Sequence, residues 1–527
     1  MSRSSLPLRD NCVFALLLLL GPASFGYPAV KPTRPPAQPS AEVRAAKAYE
    51  DARKEGPLAL RAFLYGMPKG ADLHSHLSGA IYAETWIRDA GEDHLCVDTK
   101  TLNFVAPQKQ SPPACSEGQV DAASVPLNQH LYDDLIDAFS MRTFVPRTAD
   151  SGHDHFFATF DEFGGTSKSH KGEWLDEVAS RAAAQNEQYL ELMDTPDFKD
   201  AAALAKRIGF NSDFGKFRQQ LLDAGIQNNI STILANLDAA EADRRQREHC
   251  GQPDEQPACK VTIRYIYQIL RGLPREVVFA QVVLGFETAA ADPRFVGLNF
   301  VQPEDGYISM RDYRLHMQML DAIHGFYPGV HISLHAGELA PGMVPPDGLT
   351  FHIRLAVEQG EAERIGHGVD VMYEDHPYEL LKEMAAKHVM VEVNLTSNDV
   401  ILNIKGEDHP FEIYRKYGVP VALSTDDEGV SRIDLTHEYV RAAVTYPLGY
   451  RDLKKMVRTS LEHAFLPGAS IWQQSVPETM DKPVEACAGQ LGEETPVGAC
   501  ADLITQSEKA QQQWELEHRF HIFEASF

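Results

Sequence analysis

Positive charge is what this sequence has little of. Against 75 Asp and Glu it sets only 49 Lys and Arg, a formal charge of −26 over 527 residues, and such a balance repels phosphate backbones and anionic membranes. Nucleic acid is therefore not an expected partner. Long apolar runs are missing too: beyond the first 26 residues nothing approaches the 18 or so consecutive apolar residues of a membrane helix, so no membrane partner is expected of the mature chain, which should be soluble. Cysteine is sparse, and none of the seven stands in a CxxC pair, which excludes the common thiolate zinc sites.

The start of the chain has its own character. Arg3 and Arg9, the run "VFALLLLLG" from Val13 and the small residues Ala23, Ser24 and Gly26 follow the order of a secretory signal cleaved after Gly26. Cys12 precedes the run, so it is not placed as a lipid-anchor cysteine. A secreted or periplasmic protein is expected. Removing the signal leaves Cys96, Cys115, Cys250, Cys259, Cys487 and Cys500, whose clustering in three couples makes 96 with 115, 250 with 259, and 487 with 500 the simplest pairing. Each would staple a short loop for about 2 to 4 kcal/mol.

Residues 27–66 read as a proline-rich arm followed by a helix, "AEVRAAKAYEDARKEG", opened by Ser40, ended by Gly56 and leading straight into a first strand. From 67 to 466 short β-rich runs alternate with helical stretches: the strand in "MPKGADLHSHLSG", then 188–194, 261–270, 295–301, 330–336, 363–368, 389–395 and 419–427. Eight strands alternating with helices argue for parallel βαβ units closed into a (β/α)8 barrel of the α/β class, with an open doubly wound sheet as the alternative. Residues 90–130 read as an insertion bearing a cysteine couple, and 467–527 as a C-terminal extension ending in a helix, "LITQSEKAQQQWELEHRF".

Residues i and i+2 of a strand share a face, so His74 and His76 aim at one point. The carboxyl ends of barrel strands meet at one mouth, and there the sequence places His335 and Glu338 ("SLHAGE"), His367 ("RIGHG"), and Asp426 and Asp427 ("LSTDD"). Singly, each has a structural alternative in turn or cap chemistry. Together, three histidines and a carboxylate make a zinc shell with a position left for water. Zinc lowers the pKa of bound water from 15.7 to about 7, so hydroxide exists at neutral pH.

The string "MPKGADLHSHL … SLHAGE … RIGHG … LSTDD", with "SLEHAFL" closing it, resembles the adenosine deaminase family of metal-dependent hydrolases, closest to its secreted growth-factor-like branch. The resemblance implies one zinc ion per chain on His74, His76, His335 and Asp426, with Glu338 as proton donor to purine N1, His367 as base and orienter of the water, and Asp427 as the acceptor at N7. It implies a purine nucleoside as small-molecule partner, a homodimer formed through the N-terminal region, and conversion of adenosine or 2′-deoxyadenosine to inosine products and ammonia. The stretch "HDHFFATFDEF" resembles the family's aromatic lid, with Phe156 and Phe160 over the purine; a helix stripe facing the core is the alternative. Two departures bear on the substrate. Ser78 replaces an aspartate that contacts the ribose, and Gln302 replaces a glycine whose backbone meets N3. They leave open another 6-aminopurine compound, or a non-catalytic secreted signalling protein on the same fold.

Overall fold

The eight apolar runs form eight parallel strands: Gly70–His76, Glu187–Asp194, Thr262–Leu270, Phe295–Val301, His331–Ala336, Arg364–His367, Met390–Val393 and Val421–Leu423. They lie side by side in chain order, buried on both faces as strands wrapped by helices must be. The ring closes beyond the eighth strand, where Asp426 N–H donates to His74 O at 2.8 Å and His76 N–H to Asp426 O at 3.1 Å. The architecture is the expected (β/α)8 barrel, in a computed structural model that describes residues 39–109, 114–146, 151–473, 480 and 482–527. Residues Ala41–Phe527 form one compact unit. The expected signal (1–26) and most of the arm (27–38) lie outside the described residues. Among those described, no helix is long and apolar enough to cross a membrane.

Three particulars differ from the sequence reading or add to it. The N-terminal helix Ala41–Glu55 does not lead straight into the first strand, because Pro57 starts a second helix, Pro57–Gly66; proline suits the first helical position, where its missing N–H costs nothing. Lys69 then anchors the strand, its buried Nζ donating to the carbonyls of Leu64 (2.7 Å), Met67 (3.0 Å) and Gln185 (2.6 Å). Between the second and third strands the chain builds an extra outer layer of helices, Lys199–Ile208, Phe214–Asp223 and Asn228–Arg247, which covers Arg275–Ala291. That cover explains why "VVFAQVVLGF" within Arg275–Ala291 is apolar all round. The single C-terminal helix is in fact two, Ala499–Gln506 and Glu508–Ala525, parted where Ser507 Oγ accepts from Ala510 N–H. The longer one packs on Ala41–Glu55 and Tyr450–His463 and touches the first two strands, so the extension lies against the barrel wall.

All three cysteine couples form disulfides, 96 with 115, 250 with 259, and 487 with 500. The first staples a small antiparallel sheet within the insertion, in which Cys96–Asp98 runs between Phe104–Val105 and Gln119–Asp121.

Candidate active site

Barrel closure fixes where the strand ends meet. His74 and His76 end the first strand, His335 the fifth and His367 the sixth, and Asp426 sits in the closing bridge. Their functional atoms converge: ligand atoms of His74, His76, His335 and Asp426 all lie within 4.8 Å of one another. His76 Nε2 is 3.2 Å from His335 Nε2, and Asp426 Oδ1 is 3.3 Å from His76 Nε2 and 3.5 Å from His74 Nε2. Bonds of about 2.0–2.1 Å in a tetrahedral shell separate neighbouring donor atoms by about 3.3 Å. The spacing matches.

Tautomers make the case chemical as well as geometric. Asn299 Oδ1 accepts from the His335 backbone N–H at 2.9 Å, which identifies it as the oxygen, and it faces His335 Nδ1 at 2.8 Å. The ring proton is therefore on Nδ1 and the Nε2 lone pair is bare. Glu392 Oε2 takes His74 Nδ1–H at 2.6 Å, and His74 Nε2, fully buried, has no hydrogen-bond partner. His76 Nδ1 meets the Gln268 amide at 2.7 Å; the far end of that amide bonds the Thr195 hydroxyl, which can donate or accept and so permits either amide orientation. Ser397 Oγ holds Asp426 Oδ2 at 2.6 Å. Lone pairs aimed at a common point, each ligand braced from behind, are what a four-coordinate divalent cation requires. The donor set fits a metal.

Charge in the cluster follows the same logic. His335 is held well below its usual pKa by burial and then by neighbouring His74 and His76. Burial pulls His74 down, but the neighbouring carboxylates of Asp426 and Glu392 outweigh it and push it up to about 10. Glu338 stands beside the cluster, its Oε1 3.6 Å from His367 Nε2. Burial, then the negative charges of Asp426 and Glu304, raise it well above the usual carboxylate range. Glu304 also fixes its backbone, accepting from Gly337 N–H (3.1 Å) and Glu338 N–H (2.8 Å). Asp427 is likewise raised, by burial and then by Asp426.

Close packing leaves no room for side chains at two glycines. A Cβ on Gly366 would lie 2.5 Å from His74 Cε1, and one on Gly79 would lie inside the Asp427 carboxylate. The residues of the site enclose a cavity of about 430 Å³ reached past Phe156, Phe157 and Phe160. These rings come from the helix Gly152–Glu162, capped by Ser151. Phe156 is 1% exposed and packs in the core, yet it also lines the cavity.

The family described as Adenosine deaminase matches residues 174–473, more than half of the chain. The chain belongs to the adenosine deaminase family. An adenosine deaminase of Clostridium perfringens is 36% identical over 141 residues, 26% of this chain and 38% of that one, so the matched stretch spans well under half of that relative. An adenosine deaminase of Vibrio vulnificus is 22% identical over 414 residues, 77% of this chain and 96% of its own length. Among solved structures, an amidohydrolase from Burkholderia ambifaria with bound zinc covers 77% of this chain and 88% of its own at 18% identity and a TM-score of 0.50, a likeness of fold.

Within this adenosine deaminase frame Ser78 and Gln302 both line the cavity. Gln302 takes a left-handed backbone conformation of the kind that favours glycine, with φ at +84°, a strain of about 1–3 kcal/mol for a residue with a side chain. Its Oε1 turns aside to accept from Gly272 N–H at 2.8 Å. The motifs did not single out Gln268, Asn299, Glu392, Ser397 or Phe157, nor Asp161 and Thr195 on the cavity wall.

Proposed function

We propose that this protein is an exported, zinc-dependent aminohydrolase that converts adenosine and 2′-deoxyadenosine to the inosine products and ammonia. One observation carries the reading: Glu338, a buried carboxyl group held well above its usual range, lines one cavity with His76, His335 and Asp426, three of four convergent metal-type ligands. The chemistry a zinc ion supplies in such a shell is activation of water near neutral pH. Addition of the water oxygen at C6 moves electrons onto N1, where Glu338 delivers its proton. The C6–N bond then breaks and the oxygen becomes the product carbonyl, the two protons of the water going one to the departing amine, which leaves as ammonia, and one to restore the acid form of Glu338. Purine N7 offers only a lone pair, so its partner must donate. Asp427, whose carboxyl burial and then Asp426 hold well above the usual range, would supply that hydrogen bond in its acid form, a donor where the motif reading had an acceptor.

The nucleoside is favoured over the nucleotide because the described residues lining the cavity include Asp161 and, among them, no Lys or Arg to pair a phosphate. Ser78 keeps a second reading in play, a 6-aminopurine compound with a different sugar or substituent. Three disulfides support export to an oxidising compartment. The test is ammonia release from adenosine, deoxyadenosine, adenine and AMP, with and without a chelator. Turnover of the two nucleosides, lost on chelation, is expected. Zinc present with none of the four turned over would move the reading to the other 6-aminopurine, and absence of metal would move it to a non-catalytic protein. Glu338→Gln should keep its zinc and lose turnover.

A further inference from the structure

Behind His367 lies a chain of hydrogen bonds whose direction can be deduced from its outer end. Phe411 N–H, a peptide group that can only donate, meets His409 Nδ1 at 3.1 Å. His409 Nδ1 is therefore the acceptor, and the ring proton sits on Nε2, which faces Asn398 Oδ1 at 3.0 Å. That pins the amide, so Asn398 turns its Nδ2 to His367 Nδ1 at 2.8 Å. Asn394 Nδ2 approaches the same nitrogen at 3.5 Å. His409, Asn398 and His367 are 3%, 0% and 0% exposed, so solvent offers no substitute. His367 Nδ1 faces the pinned Asn398 N–H at 2.8 Å and must accept. Its one proton is on Nε2, which has no hydrogen-bond partner and points between Glu338 Oε1 (3.6 Å) and Asp426 Oδ2 (3.9 Å).

We propose that Asn398 and His409 are positioning residues that lock His367 in the Nε2–H tautomer, so that it holds the attacking water by donating to its oxygen, while removal of the water's proton falls to another group. The inference rests on the deaminase reading for its catalytic consequence and on geometry alone for the tautomer. His335 is the internal contrast: its Nδ1 faces an amide oxygen, which bares Nε2 as a ligand. His367 faces an amide nitrogen and is barred from that role.

The experiment is a two-bond proton–nitrogen correlation spectrum of the zinc-loaded protein with ¹⁵N-labelled histidine, His367 being assigned by its disappearance in His367→Gln. The wild type should show the proton on Nε2. Asn398→Asp presents oxygen to both neighbours, so the proton should move to Nδ1, with zinc retained and kcat down about 10²–10⁴-fold, the range for losing one preorganised donor or holding a histidine in the wrong tautomer. His409→Leu should lower kcat, and His409→Gln, whose amide can donate to Asn398, should restore it. A wild-type spectrum with the proton on Nδ1 overturns the proposal even if no variant folds, and so does an Asn398→Asp protein that keeps Nε2–H. If the wild type deaminates no purine, the functional reading falls, while the tautomer is still read from the same spectrum.

Discussion

Glu392→Gln separates the brace of the metal centre from its ligands. Glu392 is fully buried and holds His74 Nδ1 at 2.6 Å through one oxygen and Arg364 Nε at 2.7 Å through the other. A glutamine amide can satisfy one of these donors, but its NH₂ must then face the other. One charge-assisted hydrogen bond is lost, which costs about 1.5–3 kcal/mol. The larger penalty of about 3–5 kcal/mol for stranding a buried charge is not expected, because Glu191 Oε2 remains 2.6 Å from Arg364 Nη2. Losing such a brace weakens metal affinity about 10- to 100-fold, or about 1.4–2.7 kcal/mol at 1.36 kcal/mol per tenfold. Zinc affinity measured against a competing chelator, with denaturant unfolding of the metal-free protein, reads both quantities. Unchanged zinc affinity would refute the bracing argument, and a stability loss near 5 kcal/mol would refute the compensating role of Glu191.

His74, pushed up to about 10 in the metal-free protein, carries a proton that zinc must displace. Zinc affinity should therefore rise about tenfold per pH unit between about pH 6.5 and 8.5, and a flat titration would show that no proton is exchanged. Gly366→Ala puts a methyl 2.5 Å from the His74 ring; it should lose zinc and activity and about 1–3 kcal/mol of stability, and a variant with full metal content would contradict the close packing. The lid helix is tied down by His153 Nε2, 3.1 Å from Asp305 Oδ1. Burial lowers the His153 pKa, but bonds to Asp305 and Asp154 outweigh it and lift it to about 9. A raised pKa stabilises fully below the unfolded value near 6.5 and fades as pH climbs through about 9. Hydrogen-exchange protection of Gly152–Glu162 should fall over that window in the wild type and less so in Asp305→Asn.

The barrel was legible because its strands are brief apolar runs set between helices, and the convergence of the four candidate ligands because histidine and aspartate at strand ends are chemically unusual there. The braces were not, for a definite reason. Gln268 in "YIYQIL", Asn299 in "VGLNFV" and Glu392 in "VMVEVNL" are single polar residues inside apolar strands, which says only that each needs a buried partner; the partner exists once strands far apart in the chain are neighbours. Gln302 hid a glycine-like backbone behind a different side chain, since φ is set by the loop and not by the letter. The amides teach most. Asn299 and Asn398 are the same residue type beside the same ring, and only the donor or acceptor pinning the far end decides which amide face meets the imidazole. A peptide N–H pins each, directly at Asn299 and through His409 at Asn398. Through that difference His335 bares a lone pair at Nε2 and His367 a proton at Nε2, so the division of labour proposed for them, metal ligand and donor to the attacking water, is written in backbone amides rather than in the side chains themselves.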